Sequence, residues 1–321
     1  MITVVIPYFQ RQPGILRKAL ASVLTQQGCE WPVHVVVVDD ASPVPARSEM
    51  LGLELPTWMT TRIIEQANGG PGSARNAGLD AAPADTRYVA FLDSDDEWSS
   101  EHLARAVTAL EQGFDLYFAN LFQLGQTVGA FERAGRIDSS KHPLLPGRHA
   151  GLHCYTGDMR EQILFGNIIG TPTVVYRLPK FADTRFRVEF RSAGEDYVFW
   201  LTLAESNARI AFSSQVEAIC GKGVNVYAGA VWGTPEHLIR VRDEIRYRRH
   251  ILDSFQLNAV QRVRVEQLAR NLRTDFAASL LSMVFRRQPM PWKFLRQYFG
   301  QDPSALMLLP WVAMRKVFRV G

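Results

Sequence analysis

The stretch Tyr88-Val89-Ala90-Phe91-Leu92-Asp93-Ser94-Asp95-Asp96-Glu97-Trp98 runs an apolar, β-forming segment into four acidic residues within five positions. Such a segment reads as a fully buried strand of a parallel sheet. The acids then lie where the strand leaves the core, and open α/β sheets bind ligands beyond that carboxyl edge. Carboxylates this close repel one another unless a cation neutralises them. An all-oxygen donor set suits a hard ion, Mg²⁺ or Mn²⁺. An isolated D-x-D is as readily a solvated turn, but three other strand ends point the same way here. The glycine and glutamate spacing of an EF-hand is absent.

Those ends belong to a strand–helix alternation. Residues 2–7 form a buried strand stopped by Pro7, and Tyr8-Phe9-Gln10-Arg11 makes the turn. A helix follows from Gly14 to about Gln27, with Leu16, Leu20, Val23 and Leu24 on one face. Residues 33–38 form a second strand, ending in Asp39-Asp40-Ala41-Ser42. This is a βαβ unit, whose crossover is expected to be right-handed. A short strand at 62–65 leads into a glycine-rich loop, where Pro71 suits a first helical position. Ser99 or Ser100 is expected to cap a helix over 101–112, with Gly113 as its stop, before a strand over 114–124.

Residues 125–157 lack periodicity and read as a long loop or inserted hairpin. A helix at 159–165, a strand at 173–176 and an apolar helix opened by Glu195-Asp196 come next. From Pro235 the pattern is helical, over 235–254, 259–285 and 291–318, with breaks at Pro289, Pro291, Pro303 and Pro310.

With 321 residues, 47% hydrophobic and 21% charged, the chain suits one large domain or two. A net charge of +4 does not by itself argue for nucleic acid. Cys29, Cys154 and Cys220 are scattered and odd in number, which fits a reduced, cytoplasmic compartment better than a disulfide framework. Met1-Ile2-Thr3 enters a strand without a basic leader, and no apolar run is long enough to cross a bilayer. His102, His142, His149 and His153 show no ligand spacing.

In this order, V-I-P-Y-F, V-V-D-D-A-S, N-G-G-P-G-S-A-R-N-A-G, F-L-D-S-D-D and G-E-D resemble a family-2 glycosyltransferase of the GT-A fold, over about residues 1–220. The stretch Gly221-Lys222-Gly223-Val224-Asn225-Val226-Tyr227 is similar to the bacterial exopolysaccharide branch, of succinoglycan glucosyltransferase type. The resemblance implies an α/β fold, a Rossmann-like mixed sheet flanked by helices. The GT-A domain would span 1–234, with a nucleotide-sugar half at 1–124 and an acceptor half at 125–234. A basic, amphipathic helical region would occupy 235–321.

It further implies an inverting, metal-dependent enzyme that moves one hexose from a UDP-sugar, UDP-glucose favoured, to a glycan. Pro7 and Tyr8 would line the base pocket and Asp39 would accept from uracil, while Asp40 holds the turn with Ser42. Arg75 would face the diphosphate, and Asn76 the backbone or the sugar. Asp93 and Ser94 would serve the ribose side, Asp93 also the metal shell, and Asp95 the metal directly, with Asp96 outside it. Asp196 would be the base, Glu195 would orient the acceptor, and Trp200, one helical turn on, would form the acceptor floor or core. Lys222 and Asn225 sit in a glycine-hinged loop that would close over the diphosphate. The Q-x-x-R-W segment of processive synthases is missing, which implies single additions.

Three rival readings fit the residues less well. A dinucleotide fingerprint is disfavoured by Pro71 inside the loop and by the loop's place after the third strand. A nucleotidyltransferase needs a basic triphosphate loop where Pro7-Tyr8-Phe9-Gln10 stands. A catalytically silent sugar-nucleotide-binding scaffold subunit does not need the intact Asp93, Asp95 and Asp196. In the tail, Arg240, Arg242, Arg246, Arg248 and Arg249 share one helix, and later segments interleave Trp and Phe with Arg and Lys. That pattern suits an anionic membrane face or a packing helix of a homodimer, and both stay open. No nucleic-acid reader motif accompanies the charge. On a membrane, the acceptor would be a polyprenyl-diphosphate-linked oligosaccharide at the cytoplasmic face of the inner membrane.

Overall fold

The computed structural model describes residues 1–224 and 229–317. Asn225, expected in the closing loop, lies outside the described residues. Contacts divide the chain into two compact units, Met1–Val188 with Asp196–Val224, and Glu189–Glu195 with the chain beyond Val224.

The first unit is one mixed sheet with helices. Its early elements are β1 (Ile2–Tyr8), α1 (Ile15–Leu24), β2 (Val33–Asp39), α2 (Ala46–Met50), β3 (Met59–Glu65), α3 (Pro71–Asp80) and β4 (Tyr88–Phe91). Then come β5 (Glu97–Trp98), α4 (His102–Glu111), β6 (Leu116–Phe122), α5 (Ala130–Ala134), β7 (Leu152–Cys154) and α6 (Met159–Phe165). Last are β8 (Val175–Arg177), α7 (Glu195–Glu205) and β9 (Ile210–Ile219). The spatial order is β3-β2-β1-β4-β8-β6-β9-β5, with β7 paired to β9. β1 to β4 run parallel to their neighbours among themselves. β8 is antiparallel to both β4 and β6.

The chain steps from β1 out to β2 and β3, then returns to place β4 on the other side of β1. A reversal of that kind is a topological switch point, and it opens a crevice at the carboxyl ends of β1, β2 and β4. These strands carry continuous apolar runs because both faces are covered. Alternate residues point to opposite faces. Ile2, Val4, Ile6, Val33, Val35 and Val37 join the α1 residues Leu16, Leu20 and Val23 in one core. Val36 and Val38 meet Ala74 on the other face. There α3 lies so close that a Cβ at Gly78 would stand 2.3 Å from Val5 Cγ1. His102, given no chemical role, is fully buried against Glu217 (2.9 Å), whose carboxylate also accepts from the Tyr117 hydroxyl (2.8 Å).

Several local expectations are corrected. α1 ends at Leu24, short of Gln27. Neither Ser99 nor Ser100 caps α4, which starts from Glu101 without a side-chain cap; the Ser99 N–H instead donates to the Glu217 carbonyl. Residues 125–157 contain α5 and β7, the latter added to the sheet through β9. The strand expected at 173–176 is β8, preceded by a single 3₁₀ turn at Thr171–Thr173.

The second unit holds α8 (Pro235–Ser254), α9 (Ala259–Phe285), α10 (Trp292–Gln301) and α11 (Pro303–Val317). The Thr234 hydroxyl caps α8 through the His237 N–H (3.3 Å), and Asn258 with Gln261 forms a capping box on α9. Leu238, Val241, Ile245, Phe276, Leu280, Met283, Leu295 and Tyr298 form its core. The break expected at Pro303 within 291–318 separates two helices at Asp302, whose extended backbone (φ −141°) is what a following proline favours. Pro310 does not break the chain but lies inside α11. No helix among the described residues is long and apolar enough to cross a membrane.

Candidate active site

Strand ends bring the candidate residues together. Asp93, Ser94, Asp95 and Asp96 follow β4, and Gln10 follows β1. Arg75, on the first turns of α3, is buried to 4% and donates to Asp93 at 2.7 Å. Its guanidinium also lies over the Phe186 ring, 5.3 Å from the centroid. Burial, and then the charge of Asp93, push the Asp95 carboxyl up to about 6. Asp96 is pushed up to about 8 by burial and by Asp93 and Asp95, against the lowering effect of the Gly221 N–H and Arg75. The site therefore concentrates more negative charge than Arg75 alone offsets.

A strap after β9 lies across these carboxylates. The Gly221 N–H donates to Asp96 Oδ1 (3.0 Å), Gly223 N–H to Asp95 Oδ2 (2.9 Å) and Val224 N–H to Gln10 Oε1 (2.9 Å). Gln10, buried to 3%, also donates from Nε2 to Ser94 Oγ (3.1 Å) and exchanges backbone hydrogen bonds with the Ser42 hydroxyl. One residue thus ties the β2 turn through its backbone, and the acidic motif and the strap through its side-chain amide. A lone glutamine beyond a strand carried no sequence signal for this. The glycines expected as hinges of a loop over the diphosphate lie here against the acidic motif, where a Cβ at Gly221 or Gly223 would run into Asp95. Lys222 itself is exposed.

Asp196 stands near the same charges at the first turn of α7. Burial raises its carboxyl above the ordinary range, Arg75 and the Tyr197 N–H (2.8 Å) lower it, and Asp93 raises it again. The preceding segment, which carries Glu195, belongs to the helical unit. There Ser192 N–H donates to the fully buried Asp243 (3.1 Å), Arg246 reaches the Glu189 carbonyl (3.3 Å), and Gly194 adopts φ +99° against Tyr247. A buried aspartate within an arginine-rich helix was its only sequence trace.

Other expectations change. The turn with Ser42 is held by Asp39, not Asp40: Asp39 accepts from the N–H groups of Ser42 (2.7 Å) and Ala46 (2.8 Å). Asp40 instead fastens the glycine loop, accepting from Gly69 (2.7 Å) and Gly70 (2.8 Å). Asn76 gives both amide atoms to the backbone of Phe186 (2.9 and 2.8 Å), the backbone alternative of the two expected for it. Tyr8 is buried to 1% within the core, and burial pushes its hydroxyl up to about 12, which does not suit the wall of an open base pocket. Pro7 remains half-buried at the same strand end. Trp200 is fully buried among Phe91, Phe186 and Phe199 and belongs to the core, not to an acceptor floor.

A divalent cation fits this donor set. Among the described residues no three acidic, histidine or cysteine side chains enclose an ion by themselves. The carboxylates of Asp93 and Asp95 would supply part of a shell, leaving other positions to diphosphate oxygens and water, as hard cations with phosphate ligands prefer. The raised proton affinity of Asp95 comes from burial first and then from the neighbouring charge of Asp93, which a cation would neutralise.

Comparison with known proteins agrees with the fold. The profile described as "Glycosyl transferase family 2" matches residues 3–172. The succinoglycan biosynthesis protein ExoW of Rhizobium meliloti (strain 1021) is 34% identical over 245 residues, 74% of each chain. A GalNAc(5)-diNAcBac-PP-undecaprenol beta-1,3-glucosyltransferase of Campylobacter jejuni is 25% identical over 203 residues, 63% of this chain and 59% of its own. Among solved structures, S. aureus TarS 1-349 in complex with UDP-GlcNAc superposes with a TM-score of 0.51 at 20% identity, covering 87% of this chain and 81% of that one. The mannosyltransferase PcManGT from Pyrobaculum calidifontis, in complex with GDP-Man and Mn²⁺, gives 0.55 at 16% identity, covering 97% and 84%. At those identities the structural likeness speaks for the fold, which is GT-A. The profile match and the ExoW identity speak for more: this chain is a glycosyltransferase and belongs to glycosyl transferase family 2.

Proposed function

We propose that the chain is an inverting, divalent-cation-dependent, non-processive hexosyltransferase that takes one hexose from a UDP-sugar, UDP-glucose favoured. The acceptor is a glycan carried on polyprenyl diphosphate during exopolysaccharide synthesis, at the cytoplasmic face of the membrane. Residues 1–234 are the catalytic domain in this reading, and 235–321 its helical extension. The observation that carries the reading is the meeting of Asp93, Asp95, Asp96 and Arg75 with Asp196 at a switch point. The names of the ExoW and undecaprenol-linked relatives support the glycan and its carrier.

Asp196 takes the proton of the acceptor hydroxyl as its oxygen forms the bond to the anomeric carbon. The bond from that carbon to the phosphate oxygen breaks, and its electron pair leaves with UDP. Arg75 holds Asp93 and offsets part of the rise in proton affinity that burial imposes on Asp196. A divalent cation held by Asp93 and Asp95 would supply charge neutralisation for the departing diphosphate. The strap N–H groups keep Asp95 and Asp96 in fixed rotamers.

Two tests follow directly. Calorimetric titration of UDP is expected to show binding with Mn²⁺ that EDTA abolishes and that Asp95→Ala lacks. UDP binding that ignores both EDTA and the substitution would sink the donor assignment. Asp243→Asn is expected to lower turnover about tenfold by loosening the segment before Asp196, since small misplacements of a reacting group are costly. UDP affinity should stay as it was. A parallel loss of UDP binding would show that Asp243 serves general stability instead.

A further inference from the structure

We propose that the C-terminal helices present a docking face for an anionic lipid bilayer. Among the described residues, α11 is apolar on two opposite sides and packs into the core of its unit through one of them. Ala305 and Val312 are only 0% and 5% exposed, and Leu309 packs against the same core. Residues Pro303, Leu306, Met307, Pro310, Trp311 and Met314 recur at i, i+3, i+4, i+7, i+8 and i+11, the spacing of one helical face. Leu306, Met307, Trp311 and Met314 are exposed by 48%, 76%, 40% and 54%. No charged residue interrupts that face.

The end of α9 and the start of α10 repeat the composition. Val284, Phe285 and Trp292 are exposed by 53%, 71% and 71%. Exposed Arg286, Arg287, Lys293 and Arg296 stand among them. From 284 to 316 the chain has six basic residues and one acid, Asp302. That acid is spent on Arg273 (2.8 Å) and Arg249 (3.8 Å). Residues 235–321 carry sixteen basic against seven acidic residues, a net of +9, which leaves −5 for the remaining chain.

Charge selects the occupant. A second copy docked through a two-fold axis would set these like-charged surfaces against each other. An anionic leaflet satisfies both components at once. Trp, Phe and Met enter the boundary between headgroups and acyl chains, while Arg and Lys heads stay at the lipid phosphates. The inference rests on the proposed lipid-borne acceptor only for its purpose; the exposed face and the charge stand without it.

The test is flotation of the full chain with vesicles of phosphatidylcholine, with and without phosphatidylglycerol. Partition into the anionic vesicles alone, weakening with added salt, is the expected result. The variant R286Q/R287Q/K293Q/R296Q should lose about fivefold per charge removed, or more than about a hundredfold in all. The variant F285S/W292S/M307S/M314S should lose partition while keeping its helical circular dichroism. No partition of the parent chain, or partition retained by both variants, overturns the proposal. So does a dimer that the serine variant dissolves without any vesicle binding. UDP titration on the same preparations reads the donor site separately, so either reading can fail alone.

Discussion

Asp196→Asn is expected to lower the transfer rate about a thousandfold, within the range that general-base removal produces, and to leave UDP affinity unchanged. The carboxamide keeps the shape of the side chain, and its oxygen can still accept the Tyr197 N–H now held at 2.8 Å. What it cannot do is take a proton. The pH profile gives a second readout. A base works deprotonated, so kcat/KM rises as pH climbs through its pKa. Burial puts that limb above the ordinary carboxylate range, and Arg75 limits the rise. The limb should vanish in the asparagine variant, leaving a flat, low profile on the acid side. A loss below about tenfold, or a variant that keeps the acid limb, would put the base on another residue.

The parts of this site that were legible in the sequence share one physical cause. Strands buried on both faces are written as unbroken apolar runs, and they stop where the chain meets solvent or ligand. β1, β2 and β4 announce their ends at Tyr8, Asp39 and Asp93 for that reason. A helix between successive strands favours parallel pairing and the crossover rule sets its hand, whereas the return of β4 to the far side of β1 shows only in the sheet order. Neighbouring carboxylates were harder. Asp39 and Asp40 are adjacent and so point to opposite sides of the strand. Only the register shows that Asp39 meets the Ser42 turn and Asp40 the glycine loop.

Trp200 illustrates a second limit. α7 is buried along most of its length, so a four-residue spacing from Asp196 selects no particular face. Proline was ambiguous in the tail, because it starts helices as well as ending them. Pro303 begins α11 and Pro310 lies within it. The brace from Asn76 to Phe186 spans 110 residues, a pairing that no local pattern encodes.

Gly221→Ala should cost donor turnover more than Gly223→Ala, and the order of the two is the informative quantity. A Cβ at 221 would stand 1.6 Å from the backbone carbonyl oxygen of Asp95, an atom that cannot move without moving the acidic motif. The strap must therefore lift, and the Gly221 N–H leaves Asp96. A Cβ at 223 would meet the Asp95 side chain, at 2.5 Å from both Cβ and Oδ2. Rotation of the carboxylate relieves the Oδ2 contact, at the cost of its bond from the Gly223 N–H, and the Cβ contact asks a smaller shift of the strap than the carbonyl contact at 221 does. Hydrogen bonds to charged groups contribute about 1.5–3 kcal/mol each. One such bond lost corresponds to roughly tenfold or more in kcat/KM for Gly223→Ala. Displacement of the whole strap takes Gly221→Ala to about a hundredfold, as misplacement of a reacting group by about 1 Å does. Steady-state kinetics with a UDP-sugar would read both, with melting temperature as the check on folding. Equal effects, or the reverse order, would mean that the strap is a passive cover. The larger loss at 221 would show that the acidic motif works only while the strap backbone holds it, which ties the chemistry at the end of β4 to a segment more than a hundred residues later in the chain.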